Sequence, residues 1–263
     1  MTANNSHWEI PNFDLIFFKK KSSKYCLVIP VINEGDRLRK FLQKLKKNRV
    51  DKILDILIID GGSTDQSIKP FYLKTMNVSA LLIKTGPGKL SAQLRCAYAF
   101  AIQKGYKGII TIDGNNKDDP ISLPSFINAL DSGYAFIQGS RFINGGIHKY
   151  TPILRYFAIK FIHAPLLSFF SGFHWTDTTQ GFRGYSVKLL KDPRIAIFRN
   201  LFSDYELLAY LSYRVPKLNF KCLELPTKRI YPKYDIPTKI SFFKGNLKML
   251  FTLYKVCSGK LNP

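Results

Sequence analysis

Gly108-Ile109-Ile110-Thr111-Ile112-Asp113-Gly114-Asn115-Asn116-Lys117-Asp118-Asp119-Pro120 is an apolar, β-branched run that stops abruptly in carboxylates and amides. Such a run reads as a buried parallel strand, because strands covered on both faces carry continuous apolar residues instead of an alternation. Open α/β sheets bind ligands beyond the carboxyl ends of their strands, which would set Asp113 at the lip of a cleft. Alone, the segment reads equally well as a strand and a polar turn, since Asp, Asn, Gly and Pro are all turn residues. Two further runs repeat the pattern. Ile53 to Ile59 ends in Asp60-Gly61-Gly62-Ser63-Thr64-Asp65, and Tyr25 to Ile32 ends in Asn33-Glu34. Three strands presenting acids and amides at the same end make one polar crevice.

Outward from these runs, strand and helix signals alternate from Lys24 to about Arg141, the pattern of a parallel sheet with helices packed on it. Strands are predicted near 25–31, 54–60, 80–84, 109–113 and 134–138. Arg37 to Lys47 is an amphipathic helix with Leu38, Phe41, Leu42 and Leu45 on one face. Leu90 to Lys104 reads as a further helix, stopped by Gly105. Beyond Arg141 the chain becomes aromatic-rich and basic. It has a polar loop over 176–186, a helix predicted over 203–213 and a strand near 220–225. Residues 1–23 read as an N-terminal extension, 24–239 as one domain, and 240–263 as an amphipathic C-terminal extension. In that extension Phe243, Leu247, Leu250, Phe251 and Tyr254 share a helical face beside Lys244, Lys248 and Lys255. It reads either as a helix docked on the body or as an interfacial helix whose lysines meet anionic lipid.

With 263 residues and 46% hydrophobic content, the chain can bury a large core and is not a disordered segment. Lys and Arg number 40 against 18 Asp and Glu, a formal net charge of +22, which favours anionic partners: nucleic acid, lipid headgroups or phosphorylated small molecules. No nucleic-acid motif accompanies that charge. Cys26, Cys96, Cys222 and Cys257 are far apart without metal-ligand spacing, so they read as reduced, structural thiols of a cytosolic chain. No signal peptide is apparent at the N-terminus. The nearest approach to a membrane span, Ile153 to Trp175, is interrupted by Arg155, Lys160, His163 and Pro165, and reads as a segment that could lie on a membrane.

Taken together, Ile29-Pro30-Val31-Ile32-Asn33-Glu34, the Asp60 loop, Gly88-Lys89, the Asp113 segment, Gly139-Ser140-Arg141, Asp177-Thr178-Thr179-Gln180-Gly181-Phe182-Arg183, Tyr205-Glu206-Leu207-Leu208, Arg229 and Thr238-Lys239 resemble glycosyltransferase family 2. The resemblance is to the branch with dolichol-phosphate mannose synthase and bacterial polyprenyl-phosphate glycosyltransferases. It implies the GT-A fold, a Rossmann-like α/β architecture with a mostly parallel sheet flanked by helices. The implied activity is inverting transfer of a sugar from a UDP-, GDP- or CDP-linked donor to a lipid phosphate at the inner face of a membrane.

By that resemblance Pro30, Ile32, Glu34, Asp60 and Gly62 line the nucleoside pocket, with Lys89, Gly114, Asn115 and Lys117 completing the donor site. Arg141, Arg229 and Lys239 would offset the diphosphate charge, and fixed cations there stabilise a departing diphosphate. Asp113 and Asn115 would hold Mg²⁺ or Mn²⁺. If the acceptor were instead a hydroxyl of a glycan, a base would be needed, with Glu206 or Asp177 as candidates. The chain departs from the family at its metal motif, Asp-x-Asp often followed by Gln two residues later: the positions read Asp113, Asn115 and Lys117. The site loses one negative charge and gains one positive. Either metal binds weakly, helped by Asp118 or Asp119, or a lysine replaces part of its charge. The sugar, the nucleobase and the oligomeric state are not readable from the sequence.

Overall fold

The computed structural model describes residues 7–233 and 242–263, the side chains of 242–247 excepted. Its strands are β1 (Phe13–Phe18), β2 (Tyr25–Val31), β3 (Asp55–Asp60), β4 (Ala80–Lys84), β5 (Gly108–Thr111), β6 (Phe136–Ser140), β7 (Ile147–Lys149), β8 (Arg183–Ser186), β9 (Cys222–Pro226) and β10 (Lys228–Ile230). The helices are α1 (Asp36–Lys47), α2 (Pro70–Thr75), α3 (Leu90–Gln103), α4 (Leu123–Asp131), α5 (Ile153–Ala158), α6 (Ala164–Ser171), α7 (Val187–Leu190), α8 (Glu206–Lys217) and α9 (Phe242–Cys257).

Eight strands form one sheet in the order β1-β4-β3-β2-β5-β8-β6-β9, in which only β1 and β8 run against the rest. Alternate residues of the central strands enter opposite cores. Cys26, Val28, Leu57 and Ile59 pack on the side of α3, α8 and α9, whereas Leu27, Ile29, Ile56 and Ile58 pack against Leu38, Phe41, Leu42 and Leu45 of α1. Burying each of these side chains is worth about 1.5–3 kcal/mol, which is why strands wet on neither face are continuously apolar. β2 pairs in parallel with both β3 and β5, with Val31 opposite Asp60, so three acid- or amide-tipped strand ends open on one edge. β7 and β10 pair in a small parallel sheet beside that edge.

The structure departs from the sequence reading in three places. β1, within the residues assigned to an N-terminal extension, pairs antiparallel with β4. Its apolar run is short and follows Pro11 and Asn12, so it signals a strand only once a neighbour supplies the pairing. β8 lies inside the segment read as a polar loop and is inserted between β5 and β6. At the other end, Leu253, Val256 and Leu261 are buried in the main core, and the Arg199 guanidinium donates to the carbonyls of Leu261 (2.6 Å) and Asn262 (3.2 Å). The C-terminal helix is amphipathic as expected, and it is fastened to the body.

One feature stands off the surface. α5, a π-helical turn at Ile159–His163 and α6 form a continuous helical run of 19 residues, Ile153–Ser171. Ile159, His163, Leu167 and Ser171 are buried at spacings of four, while Ile153, Phe157, Phe161 and Phe169 form an exposed apolar ridge.

Candidate active site

The nucleoside side of the crevice is built by two loops fastened to each other. The Asn33 side chain accepts from the Thr64 (2.8 Å) and Asp65 (3.3 Å) amides, and the Gly35 amide donates to Asp65 (2.9 Å) and Ser67 (2.7 Å). Asp60, expected to meet base or ribose, is 1% exposed, and its carboxylate accepts from the Gly62 amide (2.8 Å), the Ser63 amide (2.8 Å) and the Ser63 hydroxyl (2.5 Å). It shapes its own loop. Gly62 sits at φ 96°, a conformation that favours glycine. Glu34 pairs with Arg37 at 2.9 Å, Pro30 is half-buried and Ile32 is exposed. At the end of β5, Gly114 lacks the Cβ that would crowd Val31 and Ile29 at 3.1–3.2 Å, which lets Asp113 emerge close against β2.

Asp113 is the hinge between this side and a dense ionic cluster. Arg229 donates to Asp113 at 3.0 Å with one nitrogen and to fully buried Asp118 with another. The second oxygen of Asp118 accepts from Gln180 at 2.8 Å. A Cβ at Gly181 would collide with the Asp113 carboxylate, so Gly181 allows the loop before β8 to pass there. Arg183 holds that loop from inside, donating to the carbonyls of Gln180 (3.0 Å), Thr178 (2.7 Å) and Leu208 (2.6 Å).

At the end of β6, Arg141 is buried against Asp177 (2.6 Å), with further donation to Thr179 (3.2 Å) and to the Tyr231 hydroxyl (3.2 Å). Asp177, a candidate base in the sequence, is itself wholly buried and acts as the partner that orients Arg141. Arg155, on the first turn of α5, donates to the same Tyr231 oxygen at 3.2 Å. The Lys117 ammonium lies 4.9 Å from the Tyr231 ring centre. Burial and the neighbouring Arg229 hold that ammonium below its ordinary range. Burial pushes the Tyr231 phenol up, but Arg229, Arg141 and Arg155 together outweigh it and bring it down to about 7. Arg155 and Tyr231 were missed in the sequence. Arg155 counted only as an interruption of an apolar segment, and Tyr231 gave no signal beyond lying two residues past Arg229.

A second charged corner gathers where α3, α8 and α9 meet. Lys89 caps α3 and pairs with Asp204 at 3.5 Å, and Lys248 of α9 pairs with the same carboxylate. Glu206, first residue of α8, accepts from the Asp204 amide at 2.7 Å, and so serves a turn in the geometry present. Lys239 lies outside the described residues.

The resemblance calls for Mg²⁺ or Mn²⁺ at Asp113 and Asn115, and the donor set does not suit one. Asp113 offers the sole carboxylate of the pair, and Arg229 is bonded to it. The Asn115 oxygen accepts from the Lys117 amide at 3.2 Å, and the nearby Asn116 oxygen, buried without a partner, adds no charge. Among the described residues no three His, Cys, Asp or Glu side chains gather as metal ligands. Hard divalent cations are held by several oxygens, usually with more than one carboxylate.

A mostly parallel sheet with acid-tipped strand ends and a cationic wall is the arrangement of a GT-A glycosyltransferase, and the comparisons agree. The model of glycosyl transferase family 2 matches residues 26–193, and the chain belongs to that family. It is 21% identical over 210 residues to polyprenol monophosphomannose synthase of Mycolicibacterium smegmatis, covering 79% of this chain and 77% of that one. It is 22% identical over 201 residues to undecaprenyl-phosphate mannosyltransferase of Micrococcus luteus, covering 76% and 80%. Among solved structures, mannosyl-3-phosphoglycerate synthase from Rubrobacter xylanophilus superposes with a TM-score of 0.62 at 11% identity over 90% of this chain and 73% of that one. Glucosyl-3-phosphoglycerate synthase from Mycobacterium tuberculosis, with Mn²⁺, UDP and phosphoglyceric acid, gives 0.60 at 14% over 89% and 78%.

Proposed function

We propose that this glycosyltransferase moves a sugar, with inversion at the anomeric carbon, from a nucleotide-sugar to a polyprenyl or similar lipid phosphate at the cytoplasmic face of a membrane. The observation that carries this reading is the position of Arg155. It sits on the first turn of a helical run whose outer ridge is Ile153, Phe157, Phe161 and Phe169, yet its guanidinium reaches inward to Tyr231 beside Arg141. Cations at the foot of an apolar ridge suit an acceptor with a hydrocarbon tail and a phosphate head. Because Ile159, His163, Leu167 and Ser171 pack on the body, the run suits lying along a bilayer surface rather than spanning it. The relatives named for polyprenol and undecaprenyl-phosphate substrates support the same acceptor. Free thiols at all four cysteines fit a reducing compartment.

The chemistry asks little of the protein beyond placement. An acceptor phosphate oxygen attacks the anomeric carbon from the face opposite the diphosphate, forming a new carbon–oxygen bond. The bond to the leaving diphosphate breaks, and that group departs with the electron pair. The nucleophile is already an anion, so no base is needed, in keeping with Asp177 being paired and Glu206 being bonded to the Asp204 amide. The loops around Asn33, Asp60 and Gly114 hold the nucleoside, and the Asp113 and Arg141 clusters hold the diphosphate and align attack. UDP in a structural neighbour supports a nucleotide donor.

A direct test gives the protein each of UDP-, GDP- and CDP-linked labelled sugars with a polyprenyl phosphate or the matching polyprenol. Label entering the organic phase with the phosphate and not with the alcohol is expected. Label entering with the alcohol, or only a polar glycan product, would shift the reading to a hydroxyl acceptor.

A further inference from the structure

At its metal motif this chain has exchanged ligands for cations. Against the pattern Asp-x-Asp followed by Gln, the residues Asp113, Asn115 and Lys117 raise the fixed charge by one at Asn115 and one at Lys117, together the charge of a divalent cation. The structure packs those charges inward. Lys117 is 7% exposed, its ammonium lying over the ring of Tyr231, whose neighbour two residues back, Arg229, bridges Asp113 and Asp118. The backbone fixes the position: the Lys117 amide donates to the Asn115 oxygen, and its carbonyl accepts from Ile230 at 2.8 Å. Among the groups that face Lys117 are Asp113 on its own loop, Arg229 on β10, Tyr231 just past that strand, and Arg155 on α5.

From this arrangement we propose that Lys117, together with Arg229, neutralises the donor diphosphate in place of a divalent cation, so that nucleotide binding and transfer need no metal. The inference rests on the donor reading above. As the anomeric bond breaks, the departing diphosphate gains negative charge, and an ammonium and a guanidinium already buried beside Asp113 meet it without first being desolvated. Asn115 then serves as the bracket that holds the Lys117 backbone, a role an amide fills as well as a carboxylate.

The test is calorimetric titration of UDP, GDP and CDP into the purified full chain, in excess EDTA and again in Mn²⁺, followed by transfer assays in the same two buffers. At least one nucleotide is expected to bind equally well in both, within about twofold. Lys117→Gln should weaken that binding by about tenfold or more in EDTA, the size of a lost charge-assisted contact, while Lys117→Arg retains most of it. Its melting temperature, measured alongside, should stay near wild type. The pair Asn115→Asp with Lys117→Gln should make binding depend on Mn²⁺. Binding by the wild-type chain only in Mn²⁺ would overturn the inference and leave the donor reading standing. Undiminished binding by folded Lys117→Gln in EDTA would also overturn it, and a chain that binds none of the three under either condition would overturn both.

Discussion

The Tyr231 hydroxyl accepts from Arg141 and Arg155 while Arg229 and Lys117 flank its ring, so the phenolate is the form the site prefers. Its folded value of about 7 lies below the ordinary value of 10, so the stabilisation is absent at low pH and grows as pH rises from about 7 toward 10. We expect one of the 14 tyrosines to show tyrosinate absorbance with a midpoint near 7, and Tyr231→Phe to abolish that component. A spectrum in which every tyrosine titrates near 10 or above would mean the cations are better screened than the geometry implies. Individual residues were also the hardest scale to read in the sequence. Asp113 was legible because a β-branched run led straight to it. Asp60 and Asp177 looked equally available, and only the folded chain turns Asp60 into its own loop and seals Asp177 against Arg141. Partner choice across 36 residues leaves no trace in local pattern.

At the scale of elements, the parallel strands of the large sheet and α1 and α3 were legible because their apolar residues match what they bury, whereas the parallel pair β7 and β10 was not read. Nor were β1 and β8. β8 is four residues long and owes its strand geometry to β5 and β6 on either side, and β1 exists through pairing with β4. The helical run Ile153–Ser171 shows the opposite case, an apolar segment whose outer face has no covering among the described residues. Next to it packs α9, which buries Leu253 and Val256 and exposes Leu250, Phe251 and Tyr254, three of the residues expected to face lipid. Phe243, Leu247 and Lys244 have side chains outside the described residues. Because α9 carries part of the core, point substitutions probe the proposed membrane contact more cleanly than truncation. Phe157→Asp with Phe161→Asp is expected to lower flotation with anionic vesicles by an order of magnitude or more, each ring being worth about 1.5–3 kcal/mol when buried. Phe71→Asp, at an exposed position on α2, should leave flotation unchanged. Equal losses in both variants would argue against a defined apolar surface.

Over the whole molecule, the net charge of +22 says less than it first suggests. Arg95, Arg141, Arg183 and Arg229 are all buried, bonded to internal carbonyls, amides or carboxylates, and contribute to architecture more than to a field felt outside. What remains outside still favours an anionic surface, at about 1 kcal/mol for each lysine close to it, and salt should weaken that part of the attraction. In the function proposed above, the acceptor phosphate enters at the foot of the apolar ridge and meets Arg155, while the donor diphosphate is held by Arg141, Arg229 and Lys117. The most direct test is steady-state kinetics of Arg155→Ala with the polyprenyl phosphate and the nucleotide-sugar each varied in turn. KM for the lipid phosphate is expected to rise about tenfold, the size of a lost charge-assisted hydrogen bond, while KM for the nucleotide-sugar stays within about twofold. An unchanged KM for the lipid phosphate, or a rise confined to the nucleotide-sugar, would contradict it.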